Sequence, residues 1–240
     1  MIEPSDARAF PAEGKVVVIG ASGGIGAALR ARLEAHSGQL EVVGLSRRSD
    51  PPLEVTDEDS IRAAAEHVQT LGGDLRLVID ATGFLHDDDF GPEKSWSQLD
   101  PEHMAKAFAV NATGPALLMK HFLPLLPRGG KSVFATLSAR VGSIGDNRLG
   151  GWYSYRASKA ALNQFVRSAA VELHRRSKEA VCVALHPGTV DTRLSAPFGK
   201  AGLSVRAPEV AARELLEVID RLGADDSGGF FDHHGKPVPW

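Results

Sequence analysis

The chain has 240 residues, one cysteine, and 30 acidic against 27 basic residues, for a formal net charge of −3. That length suits one or two domains. The charges are scattered with no basic tract, which argues against nucleic acid as a partner, and no apolar run approaches the roughly 18 residues a membrane span needs. Cys182 has no partner for an internal disulfide, and residues 1–6 lack the basic and apolar regions of a signal peptide, so the expected compartment is the reducing cytoplasm.

Residues 15–19, Lys-Val-Val-Val-Ile, form a short apolar run that reads as a strand. A glycine-rich turn follows, with Gly20, Ser22, Gly23, Gly24, Ile25 and Gly26. A helix is then expected over 26–36, because Ile25, Leu29 and Leu33 recur every four residues and share a face. Strand, glycine turn and helix is how a dinucleotide is held. The unpaired N–H groups and partial positive charge of a helix's first turn attract a pyrophosphate, and glycine lets the backbone come close to it. The spacing is G-x-x-x-G-x-G on Gly20, Gly24 and Gly26 rather than G-x-G-x-x-G, and by itself it also reads as an ordinary glycine-rich loop.

Residues 40–45 read as strand two, with Ser46-Arg47-Arg48 at its end. An acid about 20 residues past the glycine turn would hold the ribose of NAD. Arg47 stands there instead, and a planar guanidinium suits the 2′-phosphate of NADP where a carboxylate would repel it. Leu53, Glu54 and Val55 read as a short third strand. A helix over 56–71 begins with acids in its first turn and closes at Gly72-Gly73. Residues 75–80 read as strand four, followed by Ala81-Thr82-Gly83. The acids Asp87, Asp88 and Asp89 suggest a solvated loop more than a metal site.

A long helix is expected over 101–126, with Asn111 inside it. Pro115 has no N–H to return to the Asn111 carbonyl, so either a kink or a water- or ligand-holding position is expected there. Residues 132–137 read as strand five and end in Ser138, at the carboxyl edge where open α/β sheets place ligands. A helix over 155–177 carries Tyr155 and Lys159 one turn apart on one face. A phenol with pKa about 10 catalyses acid–base chemistry poorly until a nearby cation stabilises its phenolate, and Lys159 could be that cation. Alone, the same pair also reads as a solvated surface pair. Strand six covers 180–185, then come His186-Pro187-Gly188-Thr189-Val190, a helix over 208–222 and an edge strand over 229–232. His186 reads as structural and His233-His234 as an exposed turn. The alternation of strands and helices predicts an α/β fold, a doubly wound parallel sheet of about seven strands with helices on both faces, in one domain.

Taken in this order, Gly20-x-x-x-Gly24-x-Gly26, Asp80-Ala81-Thr82-Gly83, Asn111, Ser138, Tyr155-x-x-x-Lys159 and Pro187-Gly188 together resemble the short-chain dehydrogenase/reductase family over nearly the whole chain. The segments 140–147 and 151–163 and the ending Phe231-Asp232, Gly235-Lys236 and Pro239-Trp240 are similar to its C-factor/sniffer-type carbonyl reductase branch. The resemblance implies a single-domain Rossmann fold over residues 1–240 with a substrate-loop region at about 186–210, and NADP(H) as cofactor. It implies Tyr155 as proton donor to a carbonyl oxygen, Lys159 on the nicotinamide ribose and lowering the tyrosine pKa, a serine on the substrate oxygen, and Asn111 holding a water that links Lys159 to solvent. Thr189, Val190 and Thr192 would lie along the nicotinamide carboxamide, and the chain would form a homodimer or homotetramer. Three departures stand out: the family's Asn-Asn-Ala-Gly is Asp80-Ala81-Thr82-Gly83, its acid after strand three falls on Glu54, and its serine position, counted back from Gly142, holds Ala139. Ser138, one residue earlier, is the selected serine, with Ser143 in reserve. The expected activity is NADPH-dependent reduction of an aldehyde or ketone, or the reverse; the alternative is an NADP(H)-binding sensor with little turnover.

Overall fold

The computed structural model describes residues 10–35, 40–196 and 205–240. Strand β1 (Gly14–Ile19) is buried on both faces from Val16 onward: Val16 and Val18 face one layer of helices, Val17 and Ile19 the other. A strand covered on both sides reads as a continuous apolar run, which explains its valines. Helix α1 (Gly24–Glu34) follows, then β2 (Leu40–Leu45), paired parallel to β1. Helix α2 (Glu58–Thr70) is started by Asp57, whose carboxylate accepts the N–H groups of Asp59 at 3.0 Å and Ser60 at 3.4 Å. Strand β3 (Leu75–Asp80) pairs with the other side of β1.

The expected strand at 53–55 does not form. Leu53 N–H donates to the Ser46 carbonyl at 2.8 Å and Glu54 N–H to Ser60 Oγ at 2.8 Å. These groups are satisfied within the loop, so no ladder is built on β2, and the two prolines just before leave no room for a longer run. The main sheet therefore has six strands where about seven were expected.

The long helix expected over 101–126 is broken into pieces: α3 (Pro101–Phe108), a π-helical turn at Ala109–Thr113, α4 (Gly114–Phe122) and a 3₁₀ turn at Leu123–Leu125. Pro115 is the physical reason, since its missing N–H cannot close the turn on Asn111 and the backbone widens there instead. Strand β4 (Ser132–Leu137), α5 (Tyr153–Arg176) and β5 (Ala180–His186) follow at nearly the expected bounds. Two short strands, β6 (Thr189–Val190) and β7 (Val205–Arg206), pair parallel beside the sheet; α6 (Pro208–Arg221) and β8 (Phe230–Asp232) complete the chain.

The main sheet runs β2-β1-β3-β4-β5-β8, with every pair parallel. One core lies between it and α2, α4 and α5, with Phe122, Phe134 and Leu162 fully buried; the other lies against α1 and α6, with Leu29, Leu77 and Leu215. Each such side chain contributes about 1.5–3 kcal/mol by leaving water. From β1 the chain steps one way to β2 and the other way to β3. This switch opens a crevice at the carboxyl ends of β1 and β3, where ligands bind in open α/β sheets.

Candidate active site

The crevice is floored by the turn between β1 and α1. Gly20 sits at φ +78°, and a Cβ on Gly26 would collide with the Gly20 carbonyl oxygen, so both positions need glycine. The turn is tied to the next strand by Gly20 and Ala21 N–H groups on the Leu45 carbonyl, at 2.9 and 3.1 Å. Helix α1 has no side-chain cap and no acid in its first turn, so its leading N–H groups and positive dipole end are left to an anion. Thr192 arrives over this turn from the far side: a Cβ on Gly24 would lie 2.8 Å from its Cγ2. The Thr192 side chain thus packs over the glycine cradle, and Ser22 and Gly23 are exposed at its edge. These features suit a pyrophosphate.

Arg47 projects into solvent past the end of β2, its side chain 82% exposed and 3.9 Å from Glu54. Glu54 also accepts from the Thr56 N–H and hydroxyl, while Val55 is buried against Gly114. Arg47 and Glu54 therefore share one edge of the crevice.

The loop after β3 holds the middle. Asp80 is fully buried, and it accepts the Thr82 N–H at 3.0 Å, the Thr82 hydroxyl at 2.6 Å and the Thr136 hydroxyl at 2.6 Å. Three donors make a buried carboxylate tolerable, and they fix Ala81, Thr82 and Gly83 against β4. A Cβ on Gly83 would lie 3.7 Å from Asn111 Oδ1 and 3.8 Å from both Lys159 Nζ and Leu194 Cδ1. Four segments distant in sequence meet there.

Asn111 lies in the π-helical turn with no exposure. Its Oδ1 accepts the Phe84 N–H at 2.7 Å, and its Nδ2 donates to the Phe84 carbonyl at 2.8 Å and to Ser158 Oγ at 3.1 Å. Ser158 in turn donates to the Tyr155 carbonyl at 2.9 Å. Lys159 is 2% exposed and donates to the Leu137 carbonyl at 2.8 Å. Burial brings its ammonium down from 10.5 to about 8, against the opposing pull of Asp80. Tyr155 is partly buried, and desolvation pushes its phenol up to about 12. The phenol thus stands above its ordinary value, because burial disfavours the phenolate.

The two candidate serines differ in what their hydroxyls do. Ser138 is 3% exposed and donates to Asn163 Oδ1 on α5 at 2.7 Å. Ser143 is 1% exposed and accepts the Asp146 N–H at 3.1 Å, which leaves its hydroxyl a hydrogen to donate. Gly142, between them, presses onto α5, where an added Cβ would lie 2.8 Å from Lys159 Cβ.

Gly188 takes φ +76° after Pro187, and β6 carries Thr189 and Val190 from there toward Thr192. Residues 197–204 of the expected substrate loop lie outside the described residues. His186 is kept down at about 4, mainly by burial, and so is held neutral. No group of three or more metal-ligating side chains occurs among the described residues. Asp87 instead closes a turn onto the Asp89 and Phe90 N–H groups and pairs with Lys106. Sequence reasoning missed Thr136, Asn163 and Glu93. Each is a lone polar residue whose partner is dozens of residues away, and no spacing pattern marks such a pair.

A family model described as enoyl-(acyl carrier protein) reductase matches residues 6–214. The chain belongs to the short-chain dehydrogenase/reductase family. It is 33% identical over 235 residues to 1-hydroxy-2-glutathionyl-2-methyl-3-butene dehydrogenase of Rhodococcus sp. (strain AD45), covering 94% of this chain and 99% of that protein. It is 42% identical over 142 residues to C-signal of Myxococcus xanthus, covering 59% of this chain and 81% of that protein. In fold it is similar to an NADPH-bound carbonyl reductase from chicken fatty liver, with TM-score 0.82 and 29% identity over 95% of this chain and 99% of the other. The fold also matches the carbonyl reductase Sniffer of D. melanogaster, with TM-score 0.81 and 22% identity over 95% of this chain and all of the other. The short-chain dehydrogenase/reductase described here thus stands with C-signal on sequence and with Sniffer-type carbonyl reductases on fold.

Proposed function

We propose that this short-chain dehydrogenase/reductase is an NADPH-dependent reductase of small carbonyl compounds, working in either direction as concentrations dictate. The observation that carries the reading is the convergence at Gly83 of Asn111 Oδ1 and Lys159 Nζ, 3.7 and 3.8 Å from where a Cβ on Gly83 would lie, with Lys159 on the helix that bears Tyr155 and helix α1 left without a side-chain cap. The NADPH-bound fatty-liver carbonyl reductase and the Rhodococcus dehydrogenase support it.

NADPH, when bound, supplies the hydride. Gly20, Ser22, Gly23, Gly24, Ile25 and Gly26 would hold its pyrophosphate, and Thr192 would lie along the nicotinamide carboxamide. Arg47 would meet the 2′-phosphate, beside Glu54 and Val55; Ala81, Thr82 and Gly83 would border the adenosine side, and Pro187, Gly188 and Val190 the nicotinamide side. Tyr155 gives its proton to the substrate oxygen as the carbon is reduced. A phenol raised to about 12 stays protonated across the physiological range and so holds the proton to give, but it is a weaker acid than a free phenol until a cation stabilises the phenolate. Lys159 keeps a positive charge below about 8 and steadies the phenolate left behind. Asn111, anchored at Phe84 and Ser158, holds the Lys159 side of the relay. Ser138 or Ser143 supplies the hydroxyl to the substrate oxygen, and Ser143 already has a hydrogen to give.

NADPH oxidation over a panel of aldehydes, ketones, quinones and the diketone benzil tests the reading. Tyr155→Phe should keep NADPH binding and lose turnover by at least about a hundredfold; unchanged turnover refutes it. A second reading, a nucleotide-binding sensor with little turnover, draws on the similarity to C-signal and on Ala139 at the serine position. Tight NADPH binding with silence across the whole panel would favour it.

A homodimer or homotetramer is proposed through the outer face of α4 and α5, where Phe165 and Val171 are 41% and 46% exposed and an apolar groove runs between Met119, Leu123 and Ala169. No helix among the described residues is long and apolar enough to cross a membrane.

A further inference from the structure

Helix α5 carries Tyr155, yet it begins badly by its own sequence. Its N-cap is Trp152, which has no side-chain acceptor and sits at φ +52°, the one non-glycine residue with positive φ among those described. A bulky residue there is strained, and such strain persists only where the surroundings over-determine it. The surroundings here are Glu93, about sixty residues upstream in the loop after β3.

Glu93 is 3% exposed. Its backbone carbonyl accepts the Trp152 N–H at 2.5 Å, and its two carboxylate oxygens share the Ser154 N–H at 3.2 Å each. The Ser154 hydroxyl donates to the same carboxylate in a short bond. Two of the N–H groups that a helix start leaves without intrahelical partners are therefore satisfied from another segment. The Glu93 carboxyl group also meets the positive end of the α5 dipole. On its other side, His103 of α3 brings Nδ1 to 3.4 Å, with its ring stacked on Phe90 at 5.1 Å and 4°. The same loop is held again at Phe84 by Asn111.

We propose that Glu93 is a positioning residue for Tyr155, a cap supplied from the β3 loop that sets where the first turn of α5 begins and hence where the phenol stands. Ser154, which Glu93 grips by both N–H and hydroxyl, is the immediate neighbour of Tyr155. A shift of the first turn moves the phenol relative to Lys159 and the cradle, while the glycine turn that would hold the nucleotide is untouched. The inference rests on the reading of Tyr155 as the proton donor.

The test uses the full chain, NADPH as the binding probe and the carbonyl compound reduced fastest in the panel, with benzil included. Glu93→Ala should leave the NADPH dissociation constant unchanged and lower kcat about a hundredfold, the scale of a misplacement near 1 Å. Glu93→Gln keeps an oxygen for the Ser154 N–H and should recover most of that loss. Folded Glu93→Ala with wild-type kcat overturns the proposal. So do equal losses of kcat and NADPH affinity, which would mean general loosening. Should Glu93→Ala not fold, Ser154→Ala takes its place: a selective fall in kcat supports the cap, and wild-type kcat overturns it. Tyr155→Phe separates the two ideas. If it stays active the underlying reading fails; if it is dead while Glu93→Ala is active, only the cap fails.

Discussion

Lys159 shows how a single residue can be costly to the fold and useful to the site. Folding takes its ammonium out of water, and its pKa drops from 10.5 to about 8. Between those values the unfolded chain holds the proton and the folded chain does not, so this group makes stability rise with pH from about 8 to 10.5; below about 8 the full cost of burying the charge is present. Lys159→Met should therefore raise the unfolding temperature near neutral pH, by a margin that shrinks above about 8, and a margin independent of pH would refute this account. Arg47 is the opposite case, an exposed residue that costs the fold little. Arg47→Asp should weaken NADPH at least about tenfold while sparing NADH, because a lost charge-assisted contact to the 2′-phosphate is worth about 1.5–3 kcal/mol. Dissociation constants for both nucleotides decide it, and equal losses would argue against a 2′-phosphate contact.

At the scale of elements, the turn from β1 into α1 leaves no room for a side chain at Gly26. Gly26→Ala would drive a methyl into the Gly20 carbonyl, and relief requires α1 to move off the strand. Such overpacking costs about 1–3 kcal/mol. The denaturation midpoint should fall accordingly, with NADPH affinity falling alongside, since the same shift opens the pyrophosphate cradle. A stable variant with wild-type affinity would show that the helix start is not the anion site. The π-helical turn at Ala109–Thr113 was half legible: Pro115 announced an interruption, but whether the chain would kink or widen depended on Phe84 and Ser158 being there to take the Asn111 side chain.

At the scale of the whole molecule, two buried cores flank the sheet, and large apolar side chains remain in water at several places among the described residues, Phe165 and Val171 of α5 among them, beside the apolar groove between α4 and α5. Phe165→Asp should convert a dimeric or tetrameric assembly to a smaller species by light scattering, with the fold intact by circular dichroism. A wild-type chain that is monomeric at high concentration would refute the proposed interface.

The sequence by itself determined the alternation of elements, the glycine turn, the Tyr155–Lys159 pair and the order in which these come. Each is local, a matter of spacing and of which residue types tolerate a turn or share a helix face. It read three residues at 53–55 as a strand because it could not show that Ser46 and Ser60 would take their N–H groups first. Only the tertiary structure decided where the Ser138 hydroxyl goes, why the Tyr155 phenol is raised and how α5 is started by Glu93. Those outcomes depend on partners brought together across the sheet and on the water that packing removes, and neither is written at any one position in the chain.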